Sequence, residues 1–257
     1  PMFDTHVHTI FSTDSDMLLE DAIASANKNS TQLIITEHMD LNYPRKGEFF
    51  FDIDEYFNQY LKYRSSNLLL GVEIGMREDC LKESSKIVIA NPFDYVIGSI
   101  HLVDNYDLYY EDFYKGKDKK EAYNRYLSSM LTCVKNFHYI DSMGHIDYIA
   151  RYADYDDKEL YYSDHQQIID EILKTLIEND TCIELNTRRF DKESAVKNLL
   201  PIYKRYAELG GKHITIGSDS HSPAAVGSRL DMARAFAEQC KLKIVYFKER
   251  KKIYDKV

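Results

Sequence analysis

The sequence predicts a parallel α/β domain, open or closed into a barrel, on three observations. Short apolar runs alternate with helical periodicities seven times along the 257 residues, no linker or internal repeat interrupts them, and the runs end one after another on histidine or a carboxylate. Residues 1–257 are expected to form one domain, because a chain of this length buries a sizeable core without dividing.

The opening stretch Asp4-Thr-His-Val-His-Thr-Ile-Phe-Ser-Thr-Asp14 places two imidazoles and two carboxylates within eleven residues. In extended chain the side chains at i and i+2 share a face, so His6 and His8 can converge on one ion while Val7 points away. Imidazole nitrogen suits zinc, iron and similar divalent metals, and carboxylates complete such a shell. Apolar spacing then predicts a helix over 17–29, with Asp16 as its cap. The run 33–36 reads as a buried strand ending at Glu37-His38. A helix over 54–66 leads to a strand over 68–73 that closes on Glu73. A helix over 80–90 precedes a strand over 95–100 ending at His101.

Residues 103–119 break this rhythm, being polar, acidic and tyrosine-rich, and read either as a lid or as a surface excursion. A helix over 120–136 follows, then a strand over 139–143 running into Gly144-His145. A helix over 162–179 leads to a strand over 181–185 ending at Asn186, with Arg188 just beyond. Another helix spans 194–209, and Gly210-Gly211 is a stop signal. The strand 213–216 opens into Gly217-Ser-Asp-Ser-His221. A helix over 223–239, a strand over 243–247 and a basic tail over 248–252 complete the pattern.

In barrels of this kind the site lies at the C-terminal ends of the strands. Six of the nine histidines fall there, namely His6, His8, His38, His101, His145 and His221, together with Glu73 and Asp219. Histidine has no propensity reason to gather at strand ends, so the clustering predicts a polynuclear metal site. His138 and His165 are expected on helices, and with His213 they stay outside the cluster. Asp40, Asp104 and Asp147 follow ligand positions closely enough to support ligands from behind.

Composition narrows the function classes. A hydrophobic fraction of 44% and a charged fraction of 29% are those of a folded globular protein, and a formal net charge of −9 disfavours nucleic acid and anionic membrane as partners. No run of about eighteen apolar residues is present, and no basic-then-apolar leader, so a cytoplasmic location is expected, with Pro1 an addition ahead of a natural start at Met2. The four cysteines, Cys80, Cys133, Cys182 and Cys240, are far apart and expected to be reduced. The 21 tyrosines, against no tryptophan, suggest aromatic packing in core and rim without pointing to a function.

The motifs D-x-H-x-H-T, T-E-H, G-x-E, G-S-I-H, G-H-I-D and G-S-D-S-H occur in the order found in the polymerase-and-histidinol-phosphatase family of metal-dependent phosphoesterases, and the resemblance covers essentially the whole chain. It implies a distorted seven-stranded (β/α) TIM-like barrel holding three divalent metals, zinc, manganese or iron. By position His6, His8, Glu73 and Asp219 would hold the first. Glu73 would bridge to a second on His101 and His145, and Asp14, His38 and His221 would hold the third. Asp14, a harder oxygen ligand, stands where many relatives carry histidine, and this bears on which metal occupies the third place.

The catalytic centre is expected on Glu73, Asp219 and His221. Phosphate favours bidentate arginine, and Arg151, Arg188 and Arg189 follow strand ends as candidates for binding it. Segments such as G-H-I-D-x-I-x-R-Y resemble the histidinol-phosphate phosphatases of histidine biosynthesis. The implied reaction is hydrolysis of L-histidinol phosphate to L-histidinol and phosphate by a metal-activated hydroxide. The alternative is a phosphoesterase of the same family acting on phosphotyrosine protein, a nucleotide or another small monoester. A nuclease, an amidohydrolase and a non-enzymatic metal-binding module are weaker readings. The expected partner is a small phosphorylated substrate, with neither nucleic acid nor membrane, and the sequence leaves the oligomeric state open.

Overall fold

Eight strands lie parallel in one sheet of the computed structural model, which describes residues 2–256; the reading of Pro1 lies outside them. In chain order the first elements are β1 (Phe3–Val7), α1 (Leu19–Lys28), β2 (Gln32–Met39), α2 (Ile53–Tyr60), β3 (Leu68–Gly75), α3 (Leu81–Ala90) and β4 (Val96–Ser99). A small hairpin, β5 (Leu102–Val103) and β6 (Tyr106–Asp107), precedes α4 (Lys119–Asn136), β7 (Ser142–Met143) and α5 (Ile149–Tyr152). Next come α6 (Gln166–Glu178), β8 (Cys182–Asn186), α7 (Glu193–Glu208), β9 (His213–Gly217), α8 (Leu230–Gln239), β10 (Lys243–Lys248) and β11 (Lys251–Tyr254).

The large sheet runs β1-β2-β3-β4-β7-β8-β9-β10-β11, parallel throughout except for the β10–β11 hairpin. Asp52 and Asp118 cap α2 and α4 by accepting from the Glu55 and Glu121 amides at 3.1 and 2.8 Å. Asp16 does not act as the expected cap, because α1 starts at Leu19 with Leu18 before it and no side-chain cap. His138 and His165 lie just beyond helix ends rather than on helices. All four cysteines are free and buried.

The barrel is distorted for a local reason. β10 pairs with the start of β9, through Lys243–His213 and Ile244–Ile214, and wedges between β9 and β1 at the N-terminal end. β1 therefore meets the opposite edge only higher up, through a single Val7–Ser220 bridge and the His8 amide donating to Ser220 O at 2.9 Å. The wedge plugs the barrel floor: Val245 and Phe247 join Phe3, Ile34, Leu69, Tyr95, Ile97 and Cys182 in one buried cluster, and Tyr246 stacks on Phe3 at 4.0 Å. The basic tail is thus structured. Its turn puts Glu249 and Arg250 at positive φ, +49° and +65°, as a two-residue hairpin turn requires, and Asp94 accepts from both turn amides at 2.9 Å.

Candidate metal centre

Inward positions ascend each strand at period two and change character with height. Ile34, Thr36 and His38 follow one another on β2, Leu69, Gly71, Glu73 and Gly75 on β3, and Cys182, Glu184 and Asn186 on β8. The floor is apolar and the top carries ligands. On β1 the same parity starting from inward Phe3 would turn Thr5 and Val7 inward; instead His6 and His8 face the centre. A register shift between Asp4 and Val7 re-aims the strand. Close approach matters at Gly217, where a Cβ would lie 2.3 Å from that of His6.

Asp219 and His221 follow β9 in the turn that meets β1. Asp219 adopts left-handed φ of +57°, which lets its carbonyl accept from His221 Nδ1 at 2.8 Å while its carboxylate turns inward. Behind the turn, the buried Asp4 carboxylate accepts from the Ser218 and Gly227 amides at 2.9 and 2.8 Å, so the first residue of the D-x-H-x-H motif braces the ligand loop rather than joining the cluster.

His6 and His8 bring their Nε2 atoms within 3.0 Å of each other, and both lie 3.2–3.3 Å from Glu73 Oε1 and Asp219 Oδ1. Ligand atoms about 2.0 Å from a tetrahedral zinc ion would be separated by about 3.3 Å. The Nδ1 atoms are committed elsewhere, His6 to Glu184 Oε2 at 2.5 Å and His8 to Ser12 Oγ at 2.9 Å, so the two facing Nε2 atoms present lone pairs. Lone pairs that close repel unless a cation lies between them. The donor set therefore fits a divalent metal.

Glu73 Oε2 lies 3.2 and 3.1 Å from Nε2 of His101 and His145, a second group that makes Glu73 the bridge between two places. Asp14 Oδ1 is 3.4 Å from His38 Nε2 and Asp14 Oδ2 is 3.2 Å from His221 Nε2, the third grouping; His8 also lies with His38 and His221. Both His38 ring nitrogens, Glu73 Oε1 and His221 Nε2 are buried without a hydrogen-bond partner, as metal-directed atoms are.

Burial opposes ionisation of Glu73 and Asp219, yet the charges around them win. His6, His101 and His38 hold Glu73 well below the ordinary carboxylate range, and His6 and Arg151 do the same for Asp219. Two supports were not singled out from the sequence as functional. Glu184 anchors His6 and also accepts from the His145 amide at 2.9 Å and Asn186 Nδ2 at 3.1 Å. A carboxylate inside the apolar run Thr181-Cys-Ile-Glu-Leu was the available signal, since a charge in a buried strand requires a partner. The other is Ser12 with Glu37. Asp40, anticipated as a supporting group, is 3.1 Å from His101 Nδ1, and a Cβ on Gly75 would collide with its carboxylate. Asp104 and Asp147 pair instead with Arg125 and Arg189. Glu184→Ala is expected to lower kcat by about 10–100-fold and to weaken metal retention, measured by steady-state kinetics and metal analysis after dialysis.

The three arginines separate. Arg151 forms an ion pair with Asp219 Oδ2 at 2.8 Å and donates to Asn186 Oδ1 at 3.1 Å, and exposed Arg188 lies 3.3 Å from His221 Nδ1. Arg189 departs from the expectation: its guanidinium is buried against Asp147 at 2.9 Å and Glu159 at 2.5 Å, and so braces loops instead of joining the cluster. Beside the metal ligands opens a cavity of about 350 Å³ walled by Tyr43, Phe49, Tyr109, Tyr110, Tyr148 and Tyr152. Asp14, Asp40, Glu48 and Asp107 also line it, and no Lys or Arg does among the described residues. The 103–119 segment supplies part of this wall, and a Tyr43–Asp107 hydrogen bond ties it to the loop after β2.

Fold and site together define a class: a distorted parallel barrel that gathers histidines and carboxylates at its strand ends to hold divalent metal beside a small open pocket. The chain belongs to the PHP domain family, whose model matches residues 4–188. It is 52% identical to a probable histidinol-phosphatase of Clostridium acetobutylicum, covering 97% of this chain and 98% of that one. It is 33% identical to the histidinol-phosphatase of Lactococcus lactis, over 85% and 83% of the two chains. A crystal structure of histidinol phosphate phosphatase from Lactococcus lactis complexed with zinc, L-histidinol and phosphate superposes with a TM-score of 0.89 at 30% identity, covering 98% of this chain and 100% of that one.

Proposed function

We propose that the chain is a histidinol-phosphatase, a metal-dependent phosphomonoesterase that hydrolyses L-histidinol phosphate to L-histidinol and phosphate in histidine biosynthesis. The observation that carries this reading is the join between the metal-ligand cluster and an aromatic cavity lined by four carboxylates. L-histidinol bears an ammonium group and an imidazole, and both suit acid-lined aromatic walls. A nucleotide would bring further negative charge to the same carboxylates. Relatives that share half of the sequence or superpose along the whole chain carry the matching name.

Three divalent ions are the proposed complement, on His6, His8, Glu73 and Asp219, on Glu73, His101 and His145, and on Asp14, His38 and His221. When bound they supply Lewis-acid stabilisation of the phosphoryl oxygens and activate water for in-line attack. Glu73 sets the spacing of the first two places through its two oxygens. Arg151 and Arg188 flank Asp219 and His221 and neutralise phosphoryl oxygens as charge spreads over them. Asp107, held by Tyr43 and by the Tyr109 amide at 2.9 Å, takes the cationic end of the substrate. Asp14, 43% exposed and an oxygen donor, gives the third place the most labile and least zinc-selective shell, with manganese and iron as further occupants. The whole chain is proposed to act as one unit in the cytoplasm; among the described residues no helix is long and apolar enough to cross a membrane.

Phosphate release from L-histidinol phosphate, compared with a nucleoside monophosphate and a phosphotyrosine peptide on the metal-loaded protein, tests the reading. A preference of about a hundredfold or more in kcat/KM, about 2.7 kcal/mol, is expected. Asp107→Asn should raise KM for L-histidinol phosphate several-fold and leave kcat within about twofold. Turnover that is equal across the substrates would remove L-histidinol phosphate as the physiological ligand.

A further inference from the structure

One fully buried carboxylate has no part in the reaction so far: Glu37, on β2 immediately before the ligand His38 and facing away from the barrel interior. It accepts from the Thr9 amide at 2.8 Å and from Ser12 Oγ at 2.7 Å on one oxygen, and from the Thr9 hydroxyl on the other. Ser12 Oγ also stands 2.9 Å from His8 Nδ1 and accepts from the His38 amide at 3.0 Å.

A serine hydroxyl has one proton and two lone pairs. Glu37 presents only acceptor oxygens to Ser12, so the hydroxyl proton is spent on Glu37. One lone pair takes the His38 N–H, and the remaining lone pair faces His8. It can be satisfied only if His8 carries its proton on Nδ1, which leaves Nε2 with a lone pair directed at His6 Nε2, Glu73 and Asp219. Without Glu37 the hydroxyl is free to turn and donate to Nδ1, and His8 would then hold its proton on Nε2, where a metal must bind. We infer that Glu37, acting through Ser12, is a positioning residue that fixes the His8 tautomer and so the affinity of the first metal place. This rests on the reading that His8 ligates through Nε2.

The geometry separates two substitutions at the same residue. In Glu37→Gln the amide oxygen can take the place that faces Ser12 and the Thr9 amide, while its NH₂ donates to the Thr9 hydroxyl. That hydroxyl is 2.5 Å from Tyr60 Oη and can turn its proton there. The relay survives. In Glu37→Leu it does not, and Ser12→Ala removes it at the next link.

The test is zinc titration of the metal-free full-length protein against a competing chelator, with histidine ring nitrogens ¹⁵N-labelled so that the protonated nitrogen of His8 is read directly. Ser12→Ala and Glu37→Leu are expected to weaken zinc at the His6–His8 place by about 10–100-fold and to shift the His8 proton towards Nε2 in the metal-free state. Glu37→Gln is expected to stay within about threefold of the parent with the proton on Nδ1. If Glu37→Leu does not fold, Ser12→Ala, which deletes a single hydroxyl, decides alone. Unchanged affinity and an unchanged Nδ1 proton in Ser12→Ala would overturn the relay. Failure of the parent protein to bind zinc through His8 would instead overturn the metal assignment beneath it.

Discussion

Glu73→Gln is expected to lower kcat/KM by at least about 10³-fold, on the order of 4 kcal/mol of lost transition-state stabilisation. Glu73 Oε1 serves the His6–His8–Asp219 group and Oε2 the His101–His145 group, so the substitution sets an NH₂ donor against one group or the other. Either orientation leaves a place short of a ligand. Metal analysis after gel filtration should find at least one ion fewer per chain than in the parent. The metal-free variant should still fold, because the amide is less costly to bury than a carboxylate and can donate to a histidine nitrogen. A variant that keeps more than a tenth of parental activity with full metal content would remove Glu73 from its bridging role.

Metal affinity should rise steeply with pH, and the sign follows from the protons that the ligands hold. In the metal-free protein burial pulls the His6 imidazole down, but Asp219, Glu184 and Glu73 outweigh it and hold the group well above its ordinary value of 6.5. For His101 burial is likewise outweighed, by Asp40 and Glu73. Both rings therefore hold a second proton to higher pH than a free imidazole does, and a metal must displace that proton wherever it is held. Each displaced proton makes the apparent affinity rise by about tenfold per pH unit below the raised pKa, so the two together approach a hundredfold.

Stability follows the same linkage. A histidine whose pKa is raised by folding contributes stability that is fully present below 6.5 and is lost as pH rises through the folded-state value. The metal-free protein should therefore lose Tm as pH climbs above neutrality while the metal-loaded protein gains occupancy. The gap between the two melting temperatures should widen from pH 6 to pH 8, read by calorimetry with and without chelator. A gap independent of pH would mean that the histidines enter the site already neutral.

Much of this was legible in the linear chain. Apolar runs ending on His38, Glu73, His101 and Asn186 marked both the strands and the end of the barrel that carries chemistry, because strand periodicity and terminal ligands are local properties. The division of these residues into three ligand groups came instead from the family resemblance, and the fold brings Asp14 to 3.4 Å from His38 and 3.2 Å from His221. The arginines show where that logic stops. Arg188 and Arg189 are neighbours in sequence, yet one stands exposed beside His221 and the other is buried between Asp147 and Glu159. Adjacent residues leave the backbone in different directions, and which direction meets a carboxylate depends on elements forty residues away.

By itself, then, the sequence determined the alternation of strands and helices, the histidines and carboxylates proposed as metal donors and the edge on which they gather. Tertiary structure alone decided the rest. The register shift in β1 turns His6 and His8 inward, the β10 wedge plugs the floor and distorts the barrel, and Glu184 and Asp40 reach the back of His6 and His101 from elements far away in sequence, while Ser12 backs His8 from the loop just after it. Donor identity is written residue by residue, whereas the proton on the far nitrogen of a ligating histidine is set by whatever the fold packs behind it.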